Sequence, residues 1–308
     1  MHKGWRELLK QKFKKPSAFL SLGLRMGASN LELSVLKKVS GHPKWMLQHT
    51  LPRFEWQKEL KRYIQQNGLG NCPCHVSLSS NQYQLLQIDK PAVGADEITQ
   101  ALKWQVKDLL LSQDDVVLEY FDIPAQMAGA EKINVVAVER APLLALIQEL
   151  DDAGLAVASV TIEELALCEL PIKAEGAVMT LYQRGGGEMI MSIVKNGVLY
   201  FSRRLKGYEN LSQLSEEELA MGSIDALSIE LQRSLDYFES QLRQAPVKDI
   251  LLILPEGNVT QIAAMLNNNI SANVALYELE LPCSPETQFA SRDSISLGAA
   301  LIQLQQVA

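Results

Sequence analysis

The chain carries one local unit twice: an apolar strand, a glycine-bearing turn, and a returning strand of alternating apolar and polar residues. In the first copy, residues 18–22 run through Gly23-Leu24-Arg25-Met26-Gly27-Ala28-Ser29 into residues 31–36. In the second, residues 177–181 run through Gln183-Arg184-Gly185-Gly186-Gly187 into residues 189–194, and residues 198–203 add a third strand. Glycine supplies the positive φ that tight hairpin turns need, and period-two apolar runs make strands buried on one face. Two such units about 160 residues apart predict two related lobes.

The 308 residues, 47% hydrophobic and 21% charged, suffice for about two globular domains. Four cysteines, Cys72, Cys74, Cys168 and Cys283, show no disulfide spacing and suit a reducing cytoplasm. Cys72-Pro73-Cys74-His75 lacks the second ligand pair of a structural metal site and reads as a turn leading into a strand at 75–79, so no metal is expected. No segment reaches the roughly 18 uninterrupted apolar residues of a membrane-spanning helix. The nearest, residues 133–150, carries Glu139, Arg140 and Glu149.

Charge is distributed unevenly. Residues 1–15 hold six basic side chains against the single acid Glu7, in a chain whose formal net charge is −7. Trp5, Leu8, Leu9 and Phe13 recur at helical spacing among Lys3, Arg6 and the other basic residues. Residues 1–16 therefore read either as a short interfacial helix resting on an anionic membrane, with Lys3, Trp5, Arg6 and Phe13 at the surface, or as a basic tail packing Trp5 and Phe13 on the domain. The acidic remainder has no second basic patch with interleaved aromatics, which argues against a nucleic-acid partner.

Punctuation and periodicity organise the rest. A helix is predicted at 54–67, stopped by Gly68, with strands at 75–79 and 84–88. Residues 89–155 read as a compact α/β insert: a helix at 95–111, a strand at 116–121, a turn at 124–129, a strand at 133–138 and a helix at 141–153. In the insert helix Ile98, Leu102, Val106 and Leu109 form an apolar stripe, and Trp104, between Lys103 and Lys107, falls off it. Trp104 is read as a contact for a partner or as packing on the adjoining lobe. Past Gly176, Ser215 and Glu218 have the spacing of a capping box, residues 224–242 continue as a helix, and 250–254 form a buried strand. The loop after that strand, Pro255-Glu256-Gly257-Asn258, lies where ligands gather in open α/β sheets. Residues 295–301 close the fold as a helix.

These stretches, in their joint order from Ser17 to Leu301, resemble the PilM-type assembly proteins of type IV pili and, more closely, the MshI-type proteins of mannose-sensitive haemagglutinin (MSHA) pilus biogenesis. The matching segments are residues 21–29, 98–110 with Lys103-Trp104-Gln105, 151–155, 161–167, 201–207 and 230–238. The resemblance implies an α/β, actin-like, duplicated ribonuclease-H-like fold of two lobes with an inserted small α/β subdomain, placed as in the cell-division protein FtsA. The expected domains are 1–16; 17–88 with 156–175 and 290–308; 89–155; and 176–289. It further implies a cytoplasmic scaffold peripheral to the inner membrane, the role also held by the GspL cytoplasmic domain. In that family the cleft between the subdomain and the first lobe takes the short cytoplasmic N-terminus of a bitopic, PilN-like membrane protein, and other pilus components are partners too.

In actin-like ATPases both glycine turns cradle nucleotide phosphates, and an acid at each organises Mg²⁺ and the attacking water. The resemblance thus points to Gly23, Arg25, Gly27, Ala28, Ser29, Gln183, Gly185, Gly186, Gly187 and Gly257 as a nucleotide site, but Arg25 and Gln183 stand where the two acids belong. A guanidinium cannot ligate Mg²⁺, and an amide is a poor substitute for a carboxylate at a hard cation. Arg25 is expected either to pair directly with a phosphate or to close the site through an ion pair with Glu188 or Glu256. A scaffold without catalytic residues is therefore expected, with no required cofactor, ATP being the one to test. The alternatives are an ATP-binding switch or weak ATPase, and a sugar kinase, for which Asp225 and Asp236 qualify by residue type alone.

Overall fold

The computed structural model describes residues 17–94, 97–111, 115–125 and 131–305, so the basic segment 1–16 lies outside the described residues. The first glycine unit forms β1 (Ser21–Met26) and β2 (Asn30–Val39), extended by β3 (His42–Pro52). Helix α1 (Trp56–Gln66) then leads to β4 (Pro73–Leu78). Trp56, Leu60 and Ile64 recur every four residues and are buried, which fixes the face that α1 turns to the sheet. The insert contributes β5 (Gln84–Asp89), α2 (Ile98–Gln105), β6 (Val116–Asp122), β7 (Lys132–Glu139) and α3 (Arg140–Asp152). The chain re-enters the first sheet with β8 (Ala156–Ile162) and turns into α4 (Glu163–Cys168).

The second unit forms β9 (Val178–Tyr182), β10 (Met189–Lys195) and β11 (Val198–Leu205). It continues through α5 (Ile224–Asp236), β12 (Asp249–Ile253), α6 (Val259–Asn269) and β13 (Asn273–Leu276). Helix α7 (Ser294–Gln305) then returns to the first lobe and packs along β1. The two five-stranded sheets have orders β3-β2-β1-β4-β8 and β11-β10-β9-β12-β13. In each, the first three strands pair antiparallel and the last two join in parallel, so the duplication extends to every strand and every pairing sense. The insert sheet, β5-β7-β6, is wholly antiparallel and interrupts the first lobe between β4 and β8, where the second lobe has only α6.

Each sheet has its own core, and a third apolar cluster joins them. It draws Leu36 and Trp45 from the first lobe, Tyr182, Ile190, Ile253 and Tyr277 from the second, and Ile295 and Leu297 from α7.

Several local expectations shift. Strand β3 was not evident because His42-Pro43-Lys44-Trp45 lacks period-two alternation; as an edge strand it tolerates the proline. The helix expected at 95–111 ends at Gln105, and a 3₁₀ turn at Lys107–Leu109 rotates Leu109 out to 50% exposure while Leu110 packs inward. The helix expected to reach residue 242 widens into a π-type turn at Tyr237–Gln241, which keeps Phe238 and Leu242 in the core. The Ser215–Glu218 capping box forms as read. Cys72 and Cys74 point into the first core, whereas His75, on the other face of β4, bonds Ser159 through Nδ1 at 2.8 Å, so the three cannot converge. Among the described residues no helix is long and apolar enough to cross a membrane.

Candidate functional site

The first glycine turn is shorter than its sequence suggested. Gly23, expected to contact phosphate, is an interior residue of β1, and a Cβ there would lie 1.8 Å from the Ser296 carbonyl oxygen and 2.4 Å from the Ala300 nitrogen. Its role is the close approach of α7 to the sheet. The turn itself is Gly27-Ala28-Ser29, closed by the Gly27 N–H donating to the Asn30 carbonyl at 2.9 Å. The Ser29 carbonyl accepts from Arg53 N at 2.8 Å, tying the turn to the loop after β3.

Arg25, the second-last residue of β1, is 8% exposed and faces the cleft between the lobes. Its Nε and Nη2 donate to Glu163 Oε1 at 2.9 and 2.7 Å, and its Nη1 donates to Glu32 Oε2 at 3.1 Å. Glu32 is its cross-strand neighbour on β2, and Glu163 opens α4. The candidates Glu188 and Glu256 are not its partners: Glu188 faces Lys206 at 3.8 Å, and the Glu256 carbonyl accepts from Gln213 at 2.6 Å. Burial works against the charge of Arg25, but Glu163, Tyr182 and Glu32 outweigh it and hold its pKa above the ordinary arginine range.

In the second turn the Gly187 N–H donates to the Arg184 carbonyl at 2.9 Å, and Gly186 takes φ 74°. Gln183 is fully buried, and its Nε2 donates to the Gly187 carbonyl at 3.1 Å and the Tyr208 carbonyl at 2.5 Å. The amide thus pins the turn as a donor. Gly257 has φ 148°, and a Cβ there would sit 2.0 Å from the Ser212 carbonyl oxygen, so its loop packs against the 3₁₀ turn at Leu211–Gln213.

Two further arginines reach from the second lobe. Arg184 Nη2 donates to Glu32 Oε1 at 2.6 Å. Arg204, on β11, donates through Nη2 to Glu164 Oε1 at 2.7 Å, to Tyr83 Oη at 2.9 Å and to Glu163 Oε2 at 3.1 Å. The Tyr83 hydroxyl in turn donates to Glu164 Oε2. Three guanidinium groups thus meet three carboxylates that are 1–3% exposed, across the seam between the lobes. Removing one partner from such a buried set costs roughly 3–5 kcal/mol because a charge is left uncompensated. Sequence reasoning missed Glu32, Glu163, Glu164 and Arg204. The adjacent pair Glu163-Glu164 directly after an apolar strand was the one available signal.

A second feature opens beside the cleft. A groove of 370 Å³ separates the first lobe from the insert, lined by Leu78, Tyr83, Leu111, Val116, Val138 and Leu143 among others. Leu111, on its rim, is 89% exposed. Trp104 lies elsewhere, on the outer face of α2 between exposed Lys103 and Lys107, and at 74% exposure it does not pack on the adjoining lobe. The arrangement offers a largely apolar furrow and a polar cleft already filled by its own side chains.

No protein-family model and no curated protein matches the chain. Among solved structures, it is similar to the PilM-PilN type IV pilus biogenesis complex, with a TM-score of 0.65 at 16% identity over 92% of this chain and 98% of that one. It is also similar to the cytoplasmic domain of EpsL, an inner-membrane component of the Vibrio cholerae type II secretion system, with a TM-score of 0.50 at 14% identity over 90% and 93% of the two chains. A Bacteroides thetaiotaomicron protein of unknown function, described as having an actin-like ATPase fold, matches with a TM-score of 0.50 at 11% identity over 94% and 98%. The fold of this chain is the actin-like ATPase fold.

Proposed function

We propose that this chain is a non-catalytic scaffold of an inner-membrane pilus assembly complex of the type IV, MSHA-like class, acting at the cytoplasmic face. The groove between first lobe and insert takes the cytoplasmic N-terminal peptide of a PilN-like bitopic membrane protein. Residues 1–16 contribute a weak electrostatic tether to anionic lipid, and Lys103, Trp104 and Lys107 face other assembly components.

The observation that carries this reading is the contrast between the two concavities. In the cleft, Arg25 is already neutralised by Glu32 and Glu163, while the Gln183 amide is committed to carbonyls. These residues do not fit a Mg²⁺-nucleotide, which needs carboxylate oxygens for the ion and unspent positive charge for the phosphates. The groove has the apolar floor and exposed rim of a peptide site.

The test is capture from detergent extracts by the full chain and by Leu143→Asp, which places a charge in the groove wall. Recovery of a single-pass inner-membrane protein by the wild type and its loss with the variant is expected. Equal recovery by both would remove the groove from the proposal. Equilibrium dialysis with labelled ATP should show no Mg²⁺-dependent retention, and micromolar, metal-dependent binding would instead support the ATP-switch reading.

A further inference from the structure

We infer that Tyr83 couples the shape of the groove to the position of the second lobe, so that occupancy of the groove and closure of the cleft regulate one another. This rests on reading the groove as the peptide site and adds a control element to it. Tyr83 belongs to both features: its ring lines the groove, and its hydroxyl is held by Arg204 at 2.9 Å and by Glu164. Arg204 belongs to the second-lobe sheet through β11, whereas Tyr83 ends the 79–83 loop that joins the first-lobe strand β4 to the insert strand β5.

That loop is built to pass on a displacement. Ser79 and Gln82 close it, with Gln82 N donating to the Ser79 carbonyl at 2.8 Å and Ser79 N donating to Gln82 Oε1 at 2.9 Å. The Ser79 hydroxyl donates to the Met26 carbonyl beside the first glycine turn. Directly after the loop, Gln84, the first residue of β5, accepts through Oε1 from the backbone N–H of Leu111, the exposed residue on the groove rim, at 2.8 Å. A continuous chain of contacts thus runs from Arg204 through Tyr83 and its loop to Leu111. Any occupant whose fit depends on the Tyr83 ring position has a different affinity with the second lobe engaged or released, and by linkage it shifts that engagement by the same factor.

The chain is tested without a partner, by amide hydrogen exchange on the full protein, so its outcome is separate from that of the capture experiment. Tyr83→Phe keeps the ring and removes the hydroxyl; Arg204→Gln removes the charge from the second lobe. Both should raise exchange in residues 80–84 and 109–111 by about tenfold or more, the scale of losing a hydrogen bond to a charged group. Arg184→Gln, which breaks the Glu32 contact but touches neither Tyr83 nor its loop, serves as control and should leave those amides at wild-type rates. The inference is overturned if Tyr83→Phe and Arg204→Gln leave the groove amides unchanged. It is equally overturned if Arg184→Gln deprotects them to the same extent, since that would be general loosening.

Discussion

The guanidinium of Arg25 decides what the neighbouring carboxylates can do. Glu32, Glu163 and Glu164 lie almost fully buried, yet each accepts hydrogen bonds from at least one guanidinium, so their charges are matched inside the protein. Glu169, just beyond α4, has no such arrangement. Its Oε2 is buried without a hydrogen-bond partner, and burial pushes its pKa up to about 7. An acid whose folded pKa exceeds its unfolded value binds its proton more tightly when folded. Its contribution is therefore complete below the ordinary carboxylate range near pH 4.5 and is lost as pH rises toward 7. Glu169→Gln should match the wild type in thermal stability at pH 4 and exceed it at pH 8 by on the order of 1 kcal/mol, or about 2–4 °C. Melting curves across that range check this, and identical curves at pH 8 would show that the carboxylate is hydrated. Arg25 and Gln183 could be singled out from the sequence because each lies in or beside a glycine turn. The partners of Arg25 were not, since Glu163 is 138 positions away and only the fold brings it to β1.

At the scale of elements, the seating of α7 on β1 depends on Gly23. Even the smallest side chain there would collide with helix backbone, which cannot rotate away as a flexible side chain would. Gly23→Ala should destabilise the protein by roughly 3 kcal/mol or more through overpacking and displacement of α7. Gly70→Ala, where nothing lies within 4 Å and φ is not positive, should fall within about 0.5 kcal/mol of the wild type or slightly above it. Urea titration of both variants makes the comparison, and a mild effect at Gly23 would mean that α7 slides along the sheet. Legibility follows the same division between local and distant. The repeated hairpins, the capping box and the strands of the insert were readable because each is specified by neighbouring residues. Strand β3 was hidden by an irregular edge sequence, and the role of Gly23 was misassigned because its reason, a helix from residues 294–305, approaches from the far end of the chain.

At the scale of the molecule, the question is whether two lobes and an insert behave as separate units. The lobes keep separate cores, but the third cluster takes residues from both, and the guanidinium–carboxylate seam lies across the same boundary. The apolar cluster supplies adhesion without direction, whereas the ion pairs accept only one relative placement, since any sliding strands a buried charge. Together they favour one resting arrangement of the lobes, and leaving it means releasing the Arg184 and Arg204 contacts. One cooperative unfolding transition follows. Among the described residues the tryptophans are Trp45 in the shared cluster, Trp56 in the first-lobe core and Trp104 on the insert, none within residues 176–289. Their fluorescence therefore weights the first lobe, the insert and the shared cluster, while circular dichroism reports on both lobes. The two probes should give coincident urea midpoints. Combining Arg184→Gln with Arg204→Gln should lower the shared midpoint, by about 3 kcal/mol or more in stability, without separating the curves, because the apolar cluster still joins the lobes. If the wild-type probes part, the lobes fold independently and the seam is only a surface contact. If they part only in the double variant, the arginines alone hold the molecule together and the shared cluster contributes little.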